Sequence, residues 1–456
     1  MGRSKHVLTH WDPEDEVFWQ REGRFTARRN LVLSVFSEHV GFSVWSLWSV
    51  LVLFMSPDIG FTFTPSEKFL LVVVPTLVGA LLRLPYSAAV ARFGGRNWTV
   101  FASAVLLVPA GLATYFVQRP QTPLWVFLLI GALAGVGGGN FASSMTNITA
   151  FYPQRHQGWA LGINAGGGNL GVAVVQLLGL LVITTAGDSH PSYVAAVYLP
   201  LIVLVSLGAA LRMDNLPALP REPGALREAA RHRHTWWISL LYIGTFGSFI
   251  GYGFAFGLVL QSEFGASALQ AASYTFLGPL LGSLSRPVGG KLADRWGGAR
   301  VTFVNFVAMA AGTAGLLAAS VTGSFPWFVA AFTVLFVLGG IGNGSTYKMI
   351  PAVHTREAER AISSGEDAAA AFARSRRLSG ALIGIAGAVG ALGGVAINLA
   401  FRTAYGSSGS GTVAFAVFLG YYAVCLAVTW AVYLRRREEP AVTGVEPVRP
   451  KTAGRV

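Results

Sequence analysis

The sequence of 456 residues has few charges, since Asp, Glu, Lys and Arg together make up 12% of it. A soluble domain has about 25% charged residues, so soluble domains of this total length could not cover their surfaces with polar groups. Cysteine is nearly absent: Cys425 stands alone, which excludes a disulfide framework and a multi-cysteine metal site. Apolar residues are abundant at 53%, and 55 residues are glycine. This composition predicts an all-α protein of the lipid bilayer.

Apolar stretches long enough to cross a bilayer recur about twelve times along the chain. Only helices satisfy all their own backbone polar groups in lipid, so each stretch predicts a transmembrane helix. The expected spans are 30–56, 66–91, 98–118, 124–148, 158–186, 193–211, 236–261, 268–291, 301–321, 326–350, 378–401 and 411–434.

Basic residues are distributed unevenly among the loops between these spans. With the N-terminus in the cytoplasm, 28 of the 34 Lys and Arg lie in cytoplasmic segments and three, Lys68, Arg119 and Arg402, lie outside. This bias places both termini in the cytoplasm and the protein in the inner membrane. It attributes the net charge of +13 to topology rather than to binding of nucleic acid. The first apolar run is too long for a signal peptide.

The two halves of the chain repeat each other. Arg83, Arg92 and the pair Gly94-Gly95 recur 203 residues later as Arg286, Arg295 and Gly297-Gly298. A parallel repeat of six helices predicts two bundles with a binding site between them near the bilayer midplane. An inserted segment, 366–377, predicts a short cytoplasmic surface helix. The expected division is a tail at 1–29, bundles at 30–211 and 236–434, a cytoplasmic linker at 212–235 and a tail at 435–456.

Arg83 and Arg286 are the strongest functional signal. Each lies nine residues before its cytoplasmic arginine, about 13 Å deep in a core about 30 Å thick. Arginine cannot lose its charge to escape burial, and Glu38 is the only acid deep within a predicted helix. One acid cannot neutralise two arginines, so the pair predicts a site for a small anion, bound through planar guanidinium groups.

Other polar and aromatic residues lie in the same predicted helices. A ligand contact is favoured for Asn169, whereas for Asn140 and Asn164 a bond to a neighbouring helix is equally compatible with the sequence. Tyr242 and Phe246 share a helix face and on spacing alone fit the core, as does Phe141. The run 166–171 matches G-x-G-x-x-G, but no strand precedes it, which indicates helix packing rather than dinucleotide binding.

A second group of residues predicts gating. The run 289–298, Gly-Gly-Lys-Leu-Ala-Asp-Arg-Trp-Gly-Gly, combines a turn with charges and suggests a charge lock between helices. Lys348 fits a snorkelling flank. Glu38 and His39 form the one candidate proton relay, although a structural role fits them too. The predicted gating residues are Gly289, Asp294, Arg295, Gly166, Gly168 and Gly390.

These motifs carry a family resemblance. The run 289–298 resembles the signature of the major facilitator superfamily. The segments Trp11-Asp-Pro-Glu-Asp, 82–87, 140–145, 162–171, 245–251 and 344–346 resemble the nitrate/nitrite porter family (NarK-like). The resemblance implies that Arg83 and Arg286 clamp nitrate or nitrite. It also implies that Tyr242 and Asn169 donate hydrogen bonds, and that Phe141 and Phe246 sandwich the ion. The eleventh predicted helix departs from the pattern, since it reads Gly-Ala-Val-Gly-Ala-Leu-Gly-Gly at 387–394 without asparagine.

The expected function is therefore transport of nitrate and nitrite by alternating access, with antiport as the principal hypothesis. Proton-coupled nitrate symport, a membrane nitrate sensor and a channel are the alternatives. We expect no enzyme activity, cofactor or metal, and a monomer in the bilayer.

Overall fold

The computed structural model describes residues 6–216 and 224–435. Long helices account for nearly all of this part of the chain. They are α1 (Glu16–Phe54), α2 (Pro65–Phe93), α3 (Gly95–Phe116), α4 (Leu124–Phe151), α5 (Gln154–Ala186), α6 (Ser192–Arg212), α7 (Arg233–Phe264), α8 (Leu277–Trp296), α9 (Gly298–Val321), α10 (Phe325–Ser363), α11 (Ala368–Ser408) and α12 (Thr412–Leu434). Two short helices, Ala225–Arg231 and Ala268–Thr275, precede α7 and α8.

Eleven of these helices are long and apolar enough to cross a membrane, and α8 is the exception. Its 20 residues include Arg286, Lys291, Asp294 and Arg295. These are the charges of the predicted site and of the glycine-rich signature. The all-α fold expected from the sequence is thus confirmed, and the charges of α8 distinguish it from the other eleven helices.

Local signals explain where these helices begin and end. Thr64 accepts from the Glu67 backbone and Glu67 bonds back, a capping box that starts α2 with Pro65 in its first turn. Gly94 ends α2 at φ 85° and Gly297 ends α8 at φ 86°, conformations that glycine adopts without strain. Because these glycines are 203 residues apart, the sequence repeat is also a repeat of backbone geometry.

Several helices extend further than the hydropathy predicts. α1 begins at Glu16 rather than residue 30, and α10 continues to Ser363. The prediction of a separate surface helix at 366–377 is wrong. Asp367 is the N-cap residue of α11, its side chain accepts a hydrogen bond from the Ala370 N–H, and α11 then continues without a break. Alanine-rich sequence favours helix and nothing in 368–377 interrupts it. Most of the predicted linker, 212–235, belongs to the described residues. Its residues 217–223 and the tail beyond residue 435 lie outside them.

α1 and α7 lie at the centre of the molecule. The apolar window of α7 is 94% buried and that of α1 is 83% buried, against 28% for α6. The helices α2 and α11 also meet, and their aromatic side chains stack near one end of the molecule: the ring of Phe69 lies 5.5 Å from Tyr405 and 5.9 Å from Phe401. The two halves of the chain are therefore in direct contact along α2 and α11.

Candidate anion site

Arg83 projects from the middle of α2 towards the other half of the chain. Its side chain is 1% exposed. Nη1 donates a hydrogen bond to the backbone oxygen of Gly387 in α11, at 2.9 Å. The guanidinium carbon lies 4.7 Å from the ring centroid of Phe141 and 4.9 Å from that of Phe246. Cation–π contact with these rings stabilises the buried guanidinium charge.

Arg286 occupies the equivalent place in α8. It is 9% exposed, and its Nη2 lies 3.5 Å from the hydroxyl oxygen of Tyr242. The guanidinium carbon is 5.2 Å from the ring centroid of Tyr347. Each arginine is followed within two residues by a proline inside the helix, Pro85 and Pro287, which leaves the backbone oxygen four residues earlier without its usual N–H donor.

No acidic side chain of the described residues forms an ion pair with Arg83 or Arg286. Three of their N–H-bearing nitrogens, Nε and Nη2 of Arg83 and Nη1 of Arg286, are buried without a hydrogen-bond partner among these residues. A buried unsatisfied donor costs about 1–3 kcal/mol, and more when it is charged. Donors left in this way on two buried cations are suited to an oxyanion.

Aromatic rings enclose these guanidinium groups. Tyr242 and Phe246 stack with centroids 5.1 Å apart and planes 7° apart, so the predicted shared face is confirmed. Directly after Tyr242, α7 changes to a π-helical turn, Ile243–Gly247, which contains Phe246. Turns of this kind are often found at functional sites. Phe141 and Phe246 are 6.2 Å apart. A flat ion between two rings needs about 7 Å at van der Waals contact, so a sandwich requires these rings to separate slightly.

The three predicted asparagines lie in different surroundings. Asn169 and Asn140 are 1% and 3% exposed, and neither amide atom of either residue has a partner in the described part of the chain. Asn164 instead donates from Nδ2 to Glu38 Oε2 at 2.7 Å. Of the two interpretations open for Asn164, the structure therefore supports the bond between helices. Oδ1 of Asn164 has no partner among the described residues, and its assignment as a substrate ligand stays a prediction.

Glu38 and His39 point to different neighbours. Glu38 is fully buried, and its Oε2 also accepts from Ser144 Oγ at 2.6 Å, while Oε1 has no partner among described residues. The imidazole Nδ1 of His39 lies 3.0 Å from the backbone oxygen of Gly167. No hydrogen bond joins the two side chains within the described structure, so a relay passing directly between them lacks a contact.

The predicted gating glycines differ in what surrounds them. A Cβ added at Gly168 would lie 2.2 Å from Glu38 Oε1, one at Gly390 2.5 Å from Tyr242 Cδ1, and one at Gly289 2.1 Å from the Ile341 oxygen. These three glycines permit close packing of α5, α11 and α8 against their neighbours. Gly166 faces open space, with nothing within 4 Å of an added Cβ.

The predicted charge lock joins α8 to α10. Asp294 pairs with Lys348 at 2.8 Å, while the Arg295 guanidinium lies over the Trp296 ring at 5.6 Å. The partner of the aspartate is therefore Lys348, which the sequence suggested only as a flank. Both side chains of the pair are exposed, so the ion pair contributes little to stability.

Sequence reasoning missed two contributors to the site. Tyr347 stands beside Arg286 and its ring centroid lies 5.1 Å from that of Tyr242. The sequence offered one indication of Tyr347: it directly precedes Lys348 in α10, the helix that packs against the glycine-rich run 289–298. Gly387 contributes a backbone oxygen rather than a side chain, and a backbone contact has no signature in sequence.

The chain matches the family model described as Major Facilitator Superfamily over residues 33–396. Among solved structures it resembles a bacterial homologue of the human lysosomal transporter Spinster in an inward-facing, unoccupied conformation. The TM-score is 0.61 at 17% identity, covering 91% of this chain and 99% of that one. The chain belongs to the major facilitator superfamily of transporters and is a multi-pass protein of the cytoplasmic membrane.

Closer relatives define a narrower group. The nitrate/nitrite transporter NarU of Salmonella typhimurium is 39% identical over 455 residues, covering 95% of this chain and 97% of that protein. The probable nitrate/nitrite antiporter NarK2 of Thermus thermophilus is 32% identical over 457 residues, with the same coverage. Within the superfamily, this chain is a member of the nitrate/nitrite porter family.

Proposed function

We propose that this protein exchanges nitrate and nitrite across the cytoplasmic membrane, taking up nitrate and exporting nitrite. The observation that carries the proposal is the set of three nitrogens on Arg83 and Arg286 that have no hydrogen-bond partner in the described part of the chain. Nitrate is a planar monovalent oxyanion, and planar guanidinium groups bind such ions through paired charge-assisted hydrogen bonds. The curated names of the relatives from Salmonella typhimurium and Thermus thermophilus agree with this substrate.

In this proposal each half of the chain contributes one cation. Arg83 comes from α2 and Arg286 from α8, while the rings of Phe141 and Phe246 lie on α4 and α7. Tyr242 and Asn169 supply further donors. An anion held by both halves draws them together, which couples binding to the rocking of one bundle against the other.

Electrostatics favours exchange over one-way flow. Two cations in a low-dielectric site repel each other, and a bound anion relieves this repulsion. If closure of the site without an anion is disfavoured by about 4 kcal/mol, the conformational change of the empty transporter back to its starting side slows about 10³-fold. The transporter then returns at a useful rate only with a counter-anion bound, which is exchange.

Glu38 supports a second candidate, proton-coupled nitrate symport. It is a fully buried carboxyl group whose Oε1 has no partner in the described structure, so it can accept a proton. A proton there would replace the counter-anion in neutralising the site during return.

Counterflow in proteoliposomes distinguishes the two candidates. Exchange predicts that labelled nitrate enters vesicles loaded with nitrate or nitrite, without any pH gradient, and does not enter vesicles loaded with chloride. Glu38→Gln should retain this exchange. Nitrate uptake that depends on an inward proton gradient, proceeds without internal nitrate or nitrite and is lost in Glu38→Gln would contradict exchange and establish symport.

A further inference from the structure

A second cluster of ionisable side chains lies away from the arginine pair, at the cytoplasmic ends of the helices. It surrounds a cavity of about 230 Å³ between the short helix Ala225–Arg231, which we name the linker helix, and the ends of α10 and α11. His354 and Glu357 come from α10, and His232 follows the linker helix directly. His354 is seven residues beyond Tyr347, about 10 Å further along α10, so the cluster is distinct from the anion site.

The three side chains converge on one another. One candidate ligand atom from each of His232, His354 and Glu357 lies within 4.8 Å of the other two. His354 Nδ1 lies 2.9 Å from Glu357 Oε2, and His232 Nδ1 lies 3.6 Å from Glu357 Oε1. His354 and Glu357 are one helical turn apart and so share a face of α10. Slight contraction would place all three around one ion, because ligands about 2.1 Å from zinc are about 3.4 Å apart.

Burial provides a second observation. His354 is 1% exposed, and its Nε2 has no hydrogen-bond partner among the described residues. Nδ1 of His354 is the nitrogen beside Glu357, so an ion shared with Glu357 would bind there and leave the imidazole proton on Nε2. Burial of His354 partly shields this place from water, which strengthens the attraction between a bound cation and the Glu357 carboxylate.

The charges around the cavity are compatible with a cation. Arg374 lines the cavity, but its Nη2 pairs with Glu366 at 2.9 Å. Glu228 also lines it and contacts Arg377. Glu357 thus faces two imidazoles and lies on the same cavity as a second carboxylate.

We propose that His232, His354 and Glu357 form a binding site for a divalent transition-metal ion, with Zn²⁺ as the best-matched ion. Two imidazole nitrogens and one carboxylate oxygen suit zinc, with a fourth position open to water or Glu228. An ion held there connects the linker between the two halves of the chain to the cytoplasmic end of α10. His232 is far in sequence from His354 and Glu357, which is why the spacing of the three residues does not predict a metal site.

Calorimetric titration of the purified full-length protein tests the proposal. The purification tag is removed and the protein is treated with EDTA and dialysed before ZnCl₂ is added. We expect one Zn²⁺ per chain with a dissociation constant in the micromolar range or below. Co²⁺ in place of Zn²⁺ should give the visible absorption of a four-coordinate site.

Two partly exposed ligands are suitable for substitution, because their loss should leave the fold intact. His232→Ala and Glu357→Gln should each weaken Zn²⁺ binding at least about 10-fold, while His190→Ala, at the loop between α5 and α6, should bind as the unmodified protein does. Thermal unfolding without metal verifies that both variants are folded. Absence of saturable binding, or a Zn²⁺ affinity in His232→Ala and Glu357→Gln equal to that of the unmodified protein, would overturn the proposal.

Discussion

The two asparagines of α5 have different neighbours, and this separates their expected roles. Asn169 is buried with both amide atoms free of partners in the described structure, whereas Asn164 donates to Glu38. Asn169→Ala should weaken nitrate binding about 10-fold, equivalent to about 1.4 kcal/mol, with little change in thermal stability.

Asn164→Ala is the matched control for that change. It should lower the free energy of unfolding by about 1–3 kcal/mol, because the buried Glu38 carboxyl group loses a donor, and leave nitrate affinity within about twofold. Nitrate titration and thermal unfolding in detergent measure both effects. The reverse pattern, with affinity lost in Asn164→Ala alone, would contradict these assignments.

Individual residues were predictable where physical chemistry leaves few options. A buried arginine in a membrane helix cannot become neutral, so Arg83 and Arg286 were identifiable from position alone. Asparagine can satisfy the hydrogen bonds of its amide in several ways, and the sequence left the roles of Asn140 and Asn164 open. The contact of Asn164 with Glu38 depends on the packing of α5 against α1, which only the structure gives.

Among the helices, close packing of α11 against α7 places Tyr242. Gly390→Ala would put a Cβ 2.5 Å from Tyr242 Cδ1. Overpacking of this kind costs about 1–3 kcal/mol and should displace the Tyr242 ring, reducing nitrate affinity at least about 10-fold. Gly384→Ala, six residues earlier on the same helix, meets nothing within 4 Å and should bind nitrate normally. Equal nitrate affinities of Gly390→Ala and Gly384→Ala would contradict the packing role assigned to Gly390.

Helix positions followed from hydropathy, but helix ends did not. Hydropathy reports the apolar part of a helix, so it missed the polar extensions of α1, α10 and α11. Glycine at a positive φ ends α2 and α8 at equivalent points, and here the sequence repeat was informative. The π-helical turn Ile243–Gly247 in α7 had no sequence signal.

For the molecule as a whole, rocking of the two halves requires α2 and α11 to separate at the end where Phe69 stacks on Tyr405. Ser66 Cβ lies 3.5 Å from the position of a Cβ at residue 406, within the about 3.5–4.5 Å of a disulfide. Oxidation of the double variant Ser66→Cys/Gly406→Cys should therefore cross-link the halves and stop nitrate exchange.

A reductant should restore exchange in that double variant, and each single variant should be insensitive to oxidant. The native Cys425 is buried and can remain. Unchanged exchange in fully cross-linked protein would mean that α2 and α11 do not separate at this end during transport.

Binding of nitrate to purified protein tests the arginine pair most directly, with Arg83→Lys and Arg286→Lys compared against Arg119→Lys. Lysine keeps the charge but loses the planar fork, and loss of charge-assisted hydrogen bonds worth about 1.5–3 kcal/mol should weaken binding about 10- to 150-fold. Arg119→Lys should match the unmodified protein. Retention of full nitrate affinity by either Arg83→Lys or Arg286→Lys would contradict a site built on paired guanidinium groups.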